Sequence, residues 1–434
     1  MMIAADVRTE TSRLLAELIR IDTSNPPGNE TAAAEHLAAY LAEAGVKSEF
    51  VGREPHRASL IARLPGTGDG PSLMLLGHTD VVGADADEWS VPPFSGLERD
   101  GFVWGRGALD MKGQVAAEAV AFATLAREGW RGAGDLILCA VADEEVGDDW
   151  GLSWLVQEHP DLVRADYVLN EGGGERIEHR GRVAYTVGVG EKRCAAFAVT
   201  VHGKSGHAST PGAADNALVK LGPVIDRIQR MPRPTAELAA LADFLAAVGE
   251  DGADPAELVS RCRSENPLLA AAVEPMLGAT IAPTISEAST AVNIIPGRAR
   301  LVCDCRILPE MTHAEIEGAV RAALAGIDFD FEFVENVGGT LSPVGTPLYR
   351  AFEEFAPQIE AGATLAPMVN PGFTDSHYMR EAFGSVAYGF MPMRMDPLLA
   401  GVLVHSADER AAMDDLELAV RCFLHVARTM GEAG

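Results

Sequence analysis

Asp135-Leu-Ile-Leu-Cys-Ala-Val-Ala-Asp-Glu-Glu-Val-Gly147 sets the reading of the whole chain. Its apolar run, Leu136 to Ala142, has the composition of a strand buried on both faces. The run ends in three consecutive carboxylates, Asp143, Glu144 and Glu145. Acids crowded at the mouth of a buried strand repel one another and lose hydration. A bound cation removes that cost. Adjacent glutamates can then divide the labour, one as ligand and the other as base toward the attacking water. The alternative is a solvated acidic loop between strand and helix.

Three further segments present similar side chains at strand ends or turns. Ser72-Leu-Met-Leu-Leu-Gly-His78-Thr-Asp80-Val-Val reads as a buried strand closing on His-x-Asp. On an extended backbone, positions i and i+2 face the same way, so Asp80 is placed to take the spare N–H of His78. Gly105-Arg-Gly-Ala-Leu-Asp110-Met-Lys-Gly113 precedes a long apolar helix from Gln114 to Ala126. Its glycines match neither a P-loop nor a full dinucleotide fingerprint, which leaves a tight turn aiming Asp110 into a cleft. The strand Ala165–Asn170 runs into Glu171-Gly-Gly-Gly. In open α/β sheets ligands gather at the carboxyl ends of strands. His78, Asp110, Glu144/Glu145 and Glu171 therefore converge on one rim.

The chain has 434 residues, more than one core usually serves, so two domains are expected. A net charge of −28 argues against nucleic acid and anionic membranes as partners. The six cysteines are scattered, which suits a reducing compartment. Cys303 and Cys305 flank Asp304 in an apolar run, which reads as one packed strand face. Met1 to Asp6 shows no basic or apolar leader region, and no apolar run reaches membrane-spanning length. A cytoplasmic protein is the expectation.

The ordered motifs resemble those of the M20 metallopeptidases and the related aminoacylases, deacylases, dipeptidases and carboxypeptidases. They are Gly77-His-Thr-Asp-Val-Val82, Gly105 to Gly113, Asp143-Glu-Glu-Val-Gly147, Asn170-Glu-Gly172, Gly206-His-Ala-Ser209 and His405 in Val-His-Ser-Ala-Asp-Glu. The resemblance covers nearly the whole chain. It implies an α/β fold: a three-layer, zinc-peptidase-like catalytic domain with an inserted α+β (βαββαβ) lid. It implies two zinc ions per chain, replaceable by cobalt or manganese, bridged by Asp110. His78 and Glu171 would complete one ion, Glu145 and His405 the other. Glu144 would be the general base and Asp80 would orient His78. His207 would stabilise the tetrahedral intermediate, often across a dimer. Asn293 and Arg306 would hold the substrate's carbonyl and carboxylate. Thr374, in Pro371-Gly-Phe-Thr-Asp375, lies in a segment resembling a pocket-lining loop, where His377 reads equally well as a pocket or a solvated residue.

The resemblance places the lid at 191–338, between catalytic segments 1–190 and 339–434. Local patterns support it: strands at Ala195–Val201, Ala291–Ile295, Arg300–Ile307 and Asp328–Val334, and helices at Asn216–Gln229 and Thr312–Ala325. Thr312 and Glu315 form a capping box. Met231 to Pro283 reads as an Ala-rich helical insertion interrupting the lid, loosely similar to the N-acyl-amino-acid-hydrolysing branch. The expected function is cleavage of an amide or peptide bond beside an amino acid with a free carboxylate. The expected partners are a small acyl-amino-acid or peptide substrate and a second copy through the lid. Rival readings are deacetylation or desuccinylation of a biosynthetic intermediate, dipeptide cleavage, and an inactive binding relative.

Overall fold

Period-two alternation divides the central strands between two cores. In the computed structural model, which describes residues 4–432 apart from Asp148, Leu73, Leu75, Leu136, Leu138 and Ala140 enter one core. Met74, Leu76, Ile137, Cys139 and Val141 enter another. Both strands, Leu73–His78 and Leu136–Val141, are buried throughout, as their unbroken apolar sequence predicts. Helices Ala4–Ile19, Lys112–Arg127 and Met413–Glu432 pack together on the first side. Leu152–Glu158 and Ser376–Phe383 cover the second. The result is a three-layer α/β/α arrangement. Met1 to Ile3, part of the stretch read for a leader, lie outside the described residues.

The large sheet runs in the order Ser48–Val51, Ser59–Leu64, Leu136–Val141, Leu73–His78, Tyr167–Asn170, Val386–Gly389, Arg182–Glu191, Thr364–Asn370. Leu73–His78 is parallel to both Leu136–Val141 and Tyr167–Asn170. Their carboxyl ends therefore open on the same edge, which is where His78, Asp143 to Glu145 and Glu171 follow.

A second, antiparallel sheet forms between Arg193 and Gly338. Its main strands lie in the order Asp330–Phe333, Phe197–His202, Arg298–Ile307, Thr280–Glu287. Ala217–Arg230 packs on it and on His313–Ala323. The capping box of Thr312 and Glu315 is present. Cys303 and Cys305 share the inward face of their strand, and all six cysteines are buried and free.

Two expectations change here. The second strand of the β-α-β-β-α-β order is Thr280–Glu287, whose first four residues fall within the expected insertion and whose last four lie beyond it, and not Ala291–Ile295. Proline is tolerated in a strand at a bulge, and the register shifts between Pro283 and Ile285. The strand expected over Ala291–Ile295 shrinks to Ile294–Ile295, which pairs only with Gly206–His207. In addition, the helices of the 231–283 segment also pack outside the second sheet. Ala239–Ala247 lies against Thr364–Asn370 of the large sheet, and Pro267–Val273 against Arg176–His179. Glu250 is salt-bridged to His179 at 2.7 Å, and Asn266 donates to the Glu178 carbonyl at 2.8 Å.

Candidate metal centre

Each strand end delivers one functional group to the rim. His78 is the last residue of its strand, and Glu171 follows Asn170 directly. Asp110 comes from the turn before helix Lys112–Arg127. His405 stands after helix Pro397–Leu403, with φ +59°, in the left-handed region. Two groups of ligand atoms result, His78/Asp110/Glu171 and Asp110/Glu145/His405, each within 4.8 Å. Asp110 belongs to both. Its Oδ1 lies 3.1 Å from His78 Nε2 and its Oδ2 lies 3.0 Å from His405 Nε2. Glu171 is 3.9 Å from His78 Nε2, and Glu145 is 3.3 Å from His405 Nε2.

These distances suit a shared cation. Ligand atoms about 2.0–2.2 Å from a tetrahedral ion stand about 3.3–3.6 Å apart. The observed separations bracket that range. Glu145 Oε1 is buried with no hydrogen-bond partner among the described residues, the condition expected of an oxygen awaiting a metal. Imidazole nitrogens and carboxylate oxygens are zinc's usual donors outside thiolate sites.

With protein groups alone, protons balance the charge. Hydrogen bonds to Asp110 and Glu145 push the His405 imidazole up to about 10. Burial lowers the His78 imidazole, but its bonds to Asp110 and Asp80 outweigh this and hold it well above its usual value. Burial raises the Asp110 carboxyl, yet bonds from His405 and His78 keep it below the carboxylate range. Burial and the Asp110 charge push Glu171 up to about 8. Burial, then the Glu171 charge, raises the Glu144 carboxyl well above its usual value. Divalent cations would replace these protons.

Asp80 is placed somewhat differently from the i, i+2 expectation. His78 Nδ1 lies 3.0 Å from the Asp80 backbone carbonyl, and the Asp80 carboxylate is farther, at 3.4 Å. The carboxylate instead accepts the backbone N–H groups of Glu144 at 3.2 Å and Glu145 at 3.1 Å. It thus holds the acidic tip as well as flanking His78.

The sequence reading gave no role to several groups around this centre. Glu409, fully buried, accepts the backbone N–H of Gly107, Leu109 and Asp110 and a 2.6 Å bond from Arg106. Asn25, Glu30 and Arg57 form a buried network that reaches Asp80 and Asp143. No local signal pointed to them, because all four stand in polar stretches of sequence and their partners are distant along the chain.

The other expected residues lie elsewhere. His207 and Asn293 meet where Gly206–His207 runs antiparallel to Ile294–Ile295: His207 pairs with Ile294 and the Ala208 N–H donates to the Asn293 carbonyl at 3.0 Å. Both are exposed. His207 Nδ1 accepts the Ser209 backbone N–H at 3.2 Å, which puts the proton of the neutral ring on Nε2. Arg306 is half-buried and bonded to Asp304 at 3.0 Å. Its Nη1 also contacts Cys194 Sγ. Among the described residues no hydrogen bond or ion pair joins His207, Asn293 or Arg306 to the metal-ligand groups. Thr374 is buried beside Gly172. His377 is 3% exposed with the Phe373 ring against it, so the solvated-loop alternative is wrong.

Residues 74–429 match the model of peptidase family M20/M25/M40. Pig (Sus scrofa) aminoacylase-1 is 28% identical over 406 residues, covering 92% of this chain and 89% of the pig protein. Mouse (Mus musculus) N-fatty-acyl-amino acid synthase/hydrolase is 29% identical over 350 residues, covering 73% and 67%. The fold is similar to that of an M20 family metallo-carboxypeptidase from Sulfolobus solfataricus. The TM-score is 0.71 at 18% identity, over 97% of this chain and 99% of the other. The chain therefore belongs to peptidase family M20/M25/M40 and is a hydrolase acting on amide bonds.

Proposed function

We propose that the protein is a dinuclear zinc amidohydrolase that cleaves an amide or peptide bond beside an amino acid with a free carboxylate. One observation carries this reading: the two oxygens of Asp110 each face a different histidine, His78 and His405, at 3.1 and 3.0 Å. His78, Asp110 and Glu171 would hold one ion, and Asp110, Glu145 and His405 the other. When bound, the ions polarise the scissile carbonyl and acidify the attacking water.

Glu144 is not among the ligand groups, and its backbone is pinned by Asp80. It takes the proton of the attacking water and returns it to the leaving nitrogen. His207 offers Nε2–H to the carbonyl oxygen as negative charge develops there. Arg306 supplies a planar fork suited to a carboxylate, and binding one there displaces Asp304. Asn293, next to His207, holds the substrate carbonyl, and Thr374 lines the pocket near Gly172.

The segment 191–338 acts as a lid, and a homodimer forms through it. In support, Thr280–Glu287 pairs with no strand but Arg298–Ile307 among the described residues, and Leu218, Val219 and Ile225 are exposed on the adjoining helix. A cytoplasmic location rests on the six buried free cysteines. No helix of the described residues is long and apolar enough to cross a membrane.

The deciding experiment is a hydrolysis panel of N-acyl amino acids and dipeptides on the zinc-loaded protein. Turnover of members with a free carboxylate is expected. A folded, zinc-loaded protein inert toward the whole panel would remove the proposal. Sedimentation showing a monomer at micromolar concentration would remove the dimer.

A further inference from the structure

Five polar residues from four separate stretches of chain meet beneath the acidic tip. Arg57 is 5% exposed and grips Glu30 with two bonds, at 2.7 and 2.8 Å. Its Nη2 also donates to Asp143 Oδ1 at 2.5 Å. The Asn25 amide donates to Asp143 Oδ1 at 2.7 Å and to Asp80 Oδ2 at 2.9 Å. The other oxygen of Asp143 accepts the Trp150 backbone N–H at 3.1 Å. All five side chains, Asn25, Glu30, Arg57, Asp80 and Asp143, are buried.

The backbone shows what this arrangement holds. Asp143 has φ +67°, a left-handed conformation that costs any residue with a β-carbon free energy. That conformation turns the chain sharply at the end of strand Leu136–Val141. The next two N–H groups, of Glu144 and Glu145, then point back to the Asp80 carboxylate. Arg57 and Asn25 secure the turn at Asp143, and Asn25 also secures the carboxylate that receives the two N–H groups. A lysine in place of Arg57 could not bond Glu30 twice and Asp143 as well, because its ammonium lacks the planar fork.

We propose that Arg57 and Asn25 are positioning residues. By fixing Asp143 in its turn and Asp80 against the Glu144 and Glu145 amides, they set where the base and one metal ligand stand. The effect falls chiefly on one ion. Glu145 belongs to the Asp110/Glu145/His405 group, whereas His78 and Glu171 come from other strand ends. The nearer partner of His78 Nδ1 is a backbone carbonyl that Asn25 does not touch.

This inference rests on the two-ion reading above, and its test separates the two. Zinc titration of the wild-type apoprotein against a chelating indicator comes first. Uptake of two ions is expected, and fewer than two overturns the two-ion reading whatever the variants do. Arg57→Lys and Asn25→Ala are then titrated and assayed. Changes to residues that orient metal ligands typically cost about 10–100-fold in affinity or activity. Each variant should keep one zinc at wild-type affinity and bind the second about 10–100-fold more weakly. With saturating zinc, kcat should fall by a similar factor, with KM within about threefold. A merely structural role predicts otherwise: a lower Tm, with both ions weakened alike or neither affected, and that result overturns the proposal. Asn25→Ala removes no charge, so it decides the matter if Arg57→Lys fails to fold.

Discussion

The Glu409 carboxylate accepts the backbone N–H of Asp110 at 3.1 Å, four residues beyond His405 in the chain. One buried side chain thereby ties the turn bearing the shared carboxylate to the loop bearing the second histidine. Its two oxygens together accept three backbone N–H groups and the Arg106 guanidinium. Glu409→Gln would turn an amide NH₂ toward donors, leaving N–H groups facing N–H groups. Both zinc affinity and kcat should fall by about 10–100-fold. Zinc titration and steady-state kinetics on the folded variant check this, and wild-type values would show that Asp110 needs no such support.

The adjacent glutamates should fail in different ways. Glu144→Gln should keep two zinc ions and lose roughly 10²–10⁴-fold in kcat, the usual share of a general base. Glu145→Gln should weaken one zinc, because its carboxylate stands 3.3 Å from His405 in the second ligand group. Zinc content measured beside kcat separates the two. Near-normal turnover in Glu144→Gln would end its assignment as the base.

Removal of metal should abolish hydrolysis. A chelator should strip the protein to an inactive form, and about two equivalents of zinc should restore it, since Asp110 serves both ligand groups. Activity that survives complete removal of metal, verified by elemental analysis, would contradict the mechanism.

Arg306→Ala should discriminate between substrates. Losing one partner of a desolvated charge pair typically costs about 2–5 kcal/mol, so kcat/KM for a free-acid substrate should drop more than about tenfold. The matching amide should be much less affected. Equal losses on both would mean that Arg306 serves only its ion pair with Asp304.

Glu118 gives a stability prediction away from the chemistry. It is fully buried on helix Lys112–Arg127, where Oε1 accepts from Gln114 and Oε2 has no hydrogen-bond partner among the described residues. Burial holds its carboxyl well above its ordinary value of 4.5. The folded protein therefore keeps this proton after the unfolded chain has lost it. The group's contribution is complete below pH 4.5 and declines as pH rises toward the folded value. The loss is about 1.4 kcal/mol per pH unit in that window. Glu118→Gln should flatten the decline and be more stable than wild type at pH 8 relative to pH 5. Denaturant titrations at several pH values measure it, and parallel curves would refute it.

Buried parallel strands announce themselves as apolar runs and put their carboxyl ends on one edge, which was enough to nominate His78, Glu144/Glu145 and Glu171, with Asp110 from a turn beside them, whereas His405 and the choice of Glu145 as ligand came from the resemblance to the family. Local signals served equally well for the capping box at Thr312 and for the shared face of Cys303 and Cys305, since both depend on residues within a few positions of each other. Other features depend on contacts between residues distant in sequence. Arg57 meets Asp143 86 positions away, and Glu409 meets Asp110 299 positions away. Neither pairing leaves a periodicity or spacing to read. Pro283 fits its strand because that strand is a sheet edge with a bulge beside the proline, and both exist only once the neighbouring strand is in place. The side of Asp80 that meets His78 was likewise decided in three dimensions, where the backbone N–H groups of Glu144 and Glu145 claimed its carboxylate and left its carbonyl nearest the ring.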